Sequence, residues 1–117
     1  NNIIPFRLHS DKQKFRFYGI FKNKKAKQMT NEEYTNIKIH FANVIKEARK
    51  KHHYTIRELA EIAEINYSYL SQIENNHIEK PSMHTYLTLF EILEISMPEL
   101  FYDIESMPPF NHYPPES

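Results

Sequence analysis

The chain has 117 residues, 40% apolar and 14% aromatic, enough for one modest core with an extension. It has no cysteine, which excludes a disulfide framework and a Cys-based zinc site, and no apolar run approaches the ~18 residues of a membrane span. The formal charge is zero, yet residues 1–35 carry eight Lys or Arg against three acids, 36–101 seven against nine and 102–117 none against three, so the overall balance excludes no acidic partner.

Residues 1–29 form a basic N-terminal zone with Phe6, Leu8, Phe15, Phe17, Ile20 and Phe21 set among the charges. Lys14-Phe15-Arg16-Phe17 alternates as a half-buried strand does, and His9-Ser10-Asp11-Lys12 reads as a turn joining it to Ile3–Leu8. A two-stranded β-hairpin docked on a larger body and a disordered basic arm both fit this pattern. The start, Asn-Asn-Ile-Ile-Pro, has neither an initiator Met nor a signal-peptide pattern. A cytoplasmic chain lacking a few leading residues is the expectation.

A helical domain is expected over residues 30–102. Thr30 and Glu33 form a capping-box pattern, and Tyr34, Ile37, Phe41, Val44, Ile45 and Ala48 then share one face of a long helix reaching about Lys51. Thr55 and Glu58 repeat the pattern and open a short second helix with Ile56, Leu59, Ala60 and Ala63 inward. Glu64-Ile65-Asn66 leaves room only for a tight turn. Asn66 is an N-cap for a third helix, Tyr67 to Glu74, that buries Leu70 and Ile73. Pro81-Ser82 starts a fourth with Met83, Tyr86, Leu89, Phe90 and Leu93 at core spacing, and Ser96-Met-Pro-Glu99 caps a fifth whose Leu100 and Phe101 close the core. From Tyr102 onward, four of the seven prolines predict an extended tail over 103–117.

The stretch Phe41–Phe101 resembles the lambda-repressor-like, Cro-type helix-turn-helix family through Thr55-Ile-Arg-Glu-Leu-Ala60, Tyr69-Leu-Ser-Gln-Ile-Glu74, Pro81-Ser82 and Leu93-Glu-Ile-Ser96, taken in that order. The resemblance implies an all-α, five-helix DNA-binding domain and a transcriptional regulator, in particular a repressor acting as a homodimer on a palindromic operator in double-stranded DNA. In such a motif the second helix braces on the backbone and the third offers base-reading residues to the major groove. Tyr67, Ser68, Ser71 and Gln72 lie opposite Leu70 and Ile73 and are the expected readers. Backbone contacts are expected from Arg57, Tyr69, His77, Lys80 and Ser82. The resemblance also assigns Arg49 and Glu74 to a structural ion pair tying the first helix to the third.

The chain departs from the family at Ile56, where a phosphate-binding Gln is usual, and at Glu64 and Glu94, where glycines are expected. No Lys or Arg lies between Arg57 and Lys80, while Glu58, Glu61, Glu64, Glu74 and Glu79 do, so the reading head is acidic. Phosphate neutralisation would then fall to Lys12, Lys14, Arg16, Lys22, Lys24, Lys25 and Lys27. That imbalance also motivates a second reading: a protein-interaction module on the same fold, such as an antitoxin or a phage or plasmid inhibitor of another protein. An enzyme is not expected. The seven histidines form no HExxH or other metal spacing, Gly19 is the only glycine, and no cofactor or metal site is anticipated. The histidines are expected at the surface.

Overall fold

The computed structural model describes residues 28–112. The expected ribbon around Lys14–Phe17, all eight basic residues of the N-terminal arm and the tail beyond residue 112 lie outside them. Among the described residues there are five α-helices and no strand: α1 Asn31–Lys51, α2 Ile56–Ala63, α3 Tyr67–Glu74, α4 Met83–Ile92 and α5 Met97–Glu105, followed by a 3-10 turn, Phe110–His112. None of these helices is long and apolar enough to cross a membrane.

The helix starts follow from local chemistry. Thr55 caps α2 by accepting from the Glu58 N–H, while the Glu58 carboxylate accepts from the Thr55 N–H. Asn66, Ser82 and Ser96 cap α3, α4 and α5 through their side-chain oxygens, and Pro98 fits in the first turn of α5, where no N–H partner is needed. α1 begins at Asn31, directly after Thr30, with Glu32 and Glu33 at its positive end and Arg49, Lys50 and Lys51 at its negative end.

The first four helices end in one way without any glycine. His53, Glu64, Asn76 and Glu94 each take a positive φ of 54–63°. In each case the next residue's N–H returns to a carbonyl in the last turn: Tyr54 to Arg49, Ile65 to Ala60, His77 to Gln72 and Ile95 to Phe90. The two positions where glycine is usual in the family, Glu64 and Glu94, therefore keep the left-handed backbone and its side-chain crowding, about 1 kcal/mol each.

Ile37, Ile45, Leu59, Ala60, Leu70, Ile73, Tyr86, Leu89, Phe90, Leu93, Leu100 and Ile104 form the core. α2 packs on α3 and α4, and α1 on α3 and α5. Phe41 of α1 meets Tyr86 and Phe90 edge-on at 5.0 and 5.4 Å between ring centres, a geometry that pairs ring edges with ring faces. Burial pushes the Tyr86 phenol well above the usual tyrosine range, and the nearby Tyr34 and Tyr69 add to it.

Three expectations are corrected. Met83 is 63% exposed, because it is the first helical residue of α4 and lies ahead of the turn that meets the body. Phe101 is 53% exposed. The inward stripe of α5 is Leu100 and Ile104, one helical turn apart, and Phe101 falls about 100° away from Leu100. Nor does an extended tail begin at Tyr102: α5 continues to Glu105, Met107 packs against the core, and the 3-10 turn follows. The tail's prolines begin only at Pro108, so no proline interrupts the helix between Tyr102 and its end at Glu105.

Candidate nucleic-acid interface

The α2–α3 corner is set by two backbone devices. Glu64, at φ 58° and ψ 43°, reverses the chain, and its N–H returns to Glu61. The Asn66 carboxamide oxygen then accepts from the Ser68 and Tyr69 N–H groups at 2.7 and 3.2 Å. With Leu70 and Ile73 fully inward, α3 has a single phase. Tyr67, Ser68 and Gln72 are exposed on its outer face, and Ser71 is half-buried.

Arg57, at the second position of α2, places its guanidinium 4.4 Å from the centre of the Tyr67 ring. Such stacking holds a cation through the ring's negative face and leaves the donor edges of the guanidinium free. It joins the start of α2 to the start of α3 on the outer surface. Arg57 and Lys80 are the exposed cations bordering this head, and His77 is exposed beside them.

The loop from Asn75 to Ser82 is tied down at several points. The Tyr69 hydroxyl accepts from the Ser82 N–H at 3.3 Å, leaving its own proton to donate elsewhere. The Ser82 hydroxyl accepts from the Thr85 N–H at 3.0 Å and donates to the Thr85 hydroxyl at 2.9 Å, so it is engaged as the α4 cap. Lys38, on α1, is buried and donates to the carbonyls of Ile78 and Glu79 at 2.8 and 3.1 Å. Its ammonium also lies 5.3 Å from the centre of the Tyr34 ring. Burial and the Glu79 carboxylate together raise the Tyr34 phenol above its ordinary value. Nothing in the sequence pattern marks Lys38: it follows Ile37 on a helix face otherwise read as polar.

Arg49 and Glu74 meet in a two-pronged ion pair, Nε to Oε2 at 2.7 Å and Nη2 to Oε1 at 3.0 Å, and Arg49 Nη1 also donates to the Tyr54 carbonyl. The acidity of the head is therefore less than the sequence count: Glu74 faces inward onto an arginine, leaving Glu58, Glu61, Glu64 and Glu79 at the surface.

The expectation of surface histidines fails for two. His52 is half-buried, bonded through Nε2 to the Leu93 carbonyl at 2.9 Å and stacked on Tyr54. His40 is half-buried 3.7 Å from the Asp103 carboxylate. Both face partners 41 and 63 residues away, which no local pattern reveals.

Residues 45–100 match the family model described as Helix-turn-helix. Neither a curated protein nor a solved structure matches the chain.

Proposed function

Since residues 45–100 form a helix-turn-helix domain of the lambda-repressor-like, Cro-type family, a family of DNA-binding regulators, we propose that the chain is a sequence-specific binder of double-stranded DNA that represses transcription as a symmetric dimer. The observation that carries this reading is the fixed phase of α3, which buries Leu70 and Ile73 and turns Ser68 and Gln72 to solvent beside Arg57 and Tyr67. In the major groove, Tyr67, Ser68, Ser71 and Gln72 meet base edges, and Gln72 has the donor and acceptor needed to pair with adenine N6 and N7. Arg57, Tyr69, His77 and Lys80 take the sugar-phosphate backbone, whereas Ser82, whose N–H and hydroxyl proton are given to Tyr69 and Thr85, serves as the α4 cap and not as the phosphate contact expected of it. Lys12, Lys14, Arg16, Lys22, Lys24, Lys25 and Lys27 supply the positive charge that the head lacks. One eight-residue recognition helix spans few base pairs, so two copies on half-sites about 34 Å, or about 10 bp, apart complete the site.

The test is selection from random duplexes at physiological salt with the full chain and with a chain starting at Thr30. A two-fold palindrome is the expected product, and loss of the first 29 residues lowers affinity while preserving the preferred sequence. Uniform binding to all duplexes with a steep salt dependence would refute sequence reading.

A second reading is favoured by the exposed Glu58, Glu61, Glu64 and Glu79 around α2 and α3. Here the module docks on another protein, as an antitoxin or an inhibitor would. Replacing Ser68 and Gln72 together by Ala separates the two: biological activity that survives intact belongs to the protein-docking reading.

A further inference from the structure

Lys38 stands seven residues ahead of the matched segment, on the long extension of α1, and its side chain reaches the loop that leads from α3 to α4. A lysine that is only 8% exposed has given up most of its hydration, which costs free energy unless fixed acceptors replace the water. The acceptors are two successive carbonyls, those of Ile78 and Glu79, and the Tyr34 ring takes part of the remaining charge.

Those two bonds determine where the loop's donors point. The peptide links joining residues 78–80 are trans, so the N–H of Glu79 lies antiparallel to the Ile78 carbonyl, and the N–H of Lys80 antiparallel to that of Glu79. With both carbonyls drawn inward to Lys38, both N–H groups face away from α1, next to the exposed Lys80 side chain. Successive N–H groups turned to one side make a concavity for an anion. On the other side of the loop, the Tyr69 hydroxyl fixes Ser82.

We infer that Lys38 is a positioning residue for DNA binding: from within the body it aims the Glu79 and Lys80 N–H groups at a backbone phosphate, without touching the duplex itself. This role rests on the DNA-binding reading. It differs from that of a surface lysine, whose charge neutralises phosphate directly and appears in the salt dependence.

The experiment uses the full chain and the duplex recovered by selection, with each phosphate near the loop replaced singly by an uncharged methylphosphonate. In the unaltered protein, one such replacement lowers affinity about tenfold, as expected for a bond from N–H to a charged oxygen. In Lys38→Met that same replacement has less than about a twofold effect, while the penalties at other phosphates persist. Lys38→Arg, which keeps two donors, restores the pattern. The slope of log affinity against log salt is unchanged in Lys38→Met but falls by about 0.9 in Lys80→Met. Should Lys38→Met not fold, the unaltered protein still decides: the amide proton resonances of Glu79 and Lys80 shift on adding the duplex. A phosphate profile identical in Lys38→Met and the unaltered chain, or amide protons that do not respond, overturns the role of Lys38 alone. Failure to select any duplex overturns this role and the DNA-binding reading together.

Discussion

Replacing Arg49 by Met leaves the Glu74 carboxylate, whose side chain is 1% exposed, without its two guanidinium donors and removes a donor from the Tyr54 carbonyl. Breaking a buried pair from one side costs about 3–5 kcal/mol, because the surviving charge stays dehydrated. A domain of this size has a total stability of about 5–10 kcal/mol, and each kcal/mol corresponds to about 4–8 °C in melting temperature. A fall of roughly 12–40 °C is expected. Glu74→Gln is milder, about 1.5–3 kcal/mol, since the Arg49 side chain is 11% exposed and keeps its bond to Tyr54. The double variant Arg49→Met with Glu74→Gln strands no charge, so its cost falls below the sum of the singles by at least about 2 kcal/mol. Urea denaturation followed by circular dichroism gives all three values. Strictly additive costs, or an Arg49→Met penalty under about 1 kcal/mol, would refute the reasoning. A functional corollary accompanies it: near 10–20 °C, about where domains are most stable, Arg49→Met keeps the base preference of the unaltered chain, since neither residue lies on the outer face of α3.

Gln72→Ala should relax selection at a single base-pair position by about 5- to 150-fold, with little change in melting temperature because Gln72 is exposed, as read by competition against single-substitution duplexes. Tyr67→Ala releases Arg57 from its stack, so affinity should drop further than in Tyr67→Phe, which retains the ring face; equal affinities for the two variants would count against the stacking. Glu64→Gly and Glu94→Gly should each raise stability by up to about 1 kcal/mol in urea melts, less the extra freedom glycine gives the unfolded chain, whereas either change to Ala should gain nothing. For Tyr86 the folded-state phenol is raised, so an unfolded chain ionises first, near pH 10. Its contribution is complete below that pH and is lost as the pH rises above it, so stability should decline there. Tyr86→Phe should show a shallower decline between pH 9 and about 11, and parallel curves would show that this burial does not control alkaline unfolding.

The parts of the fold legible in the sequence are those decided within one helical turn. Thr55 with Glu58, Asn66, Ser82 and Ser96 declare their helices because a cap and its N–H acceptance lie three residues apart. The phase of α3 was equally plain, since Leu70 and Ile73 leave only one outer face. Met83 and Phe101 misled because apolar spacing tells which residues share a stripe but not where along it the neighbouring helix begins or ends. Lys38 and His52 were hidden for a different reason. Each satisfies carbonyls about 40 residues distant, and a buried polar side chain with remote backbone partners has the same local sequence as a solvated one.

The Tyr69–Ser82 bond has a consequence in time as well as in place. One hydroxyl on α3 holds Ser82, the N-cap of α4, so α3 and the loop leading to Ser82 are fastened to one another. On a duplex, the proposed base contacts and the proposed phosphate contacts would then be made and broken as one event, without a half-released state in which α3 has left the groove while the loop still grips. Residence time would depend on their joint rupture, so Tyr69→Phe should shorten it through faster dissociation while leaving the association rate nearly unchanged.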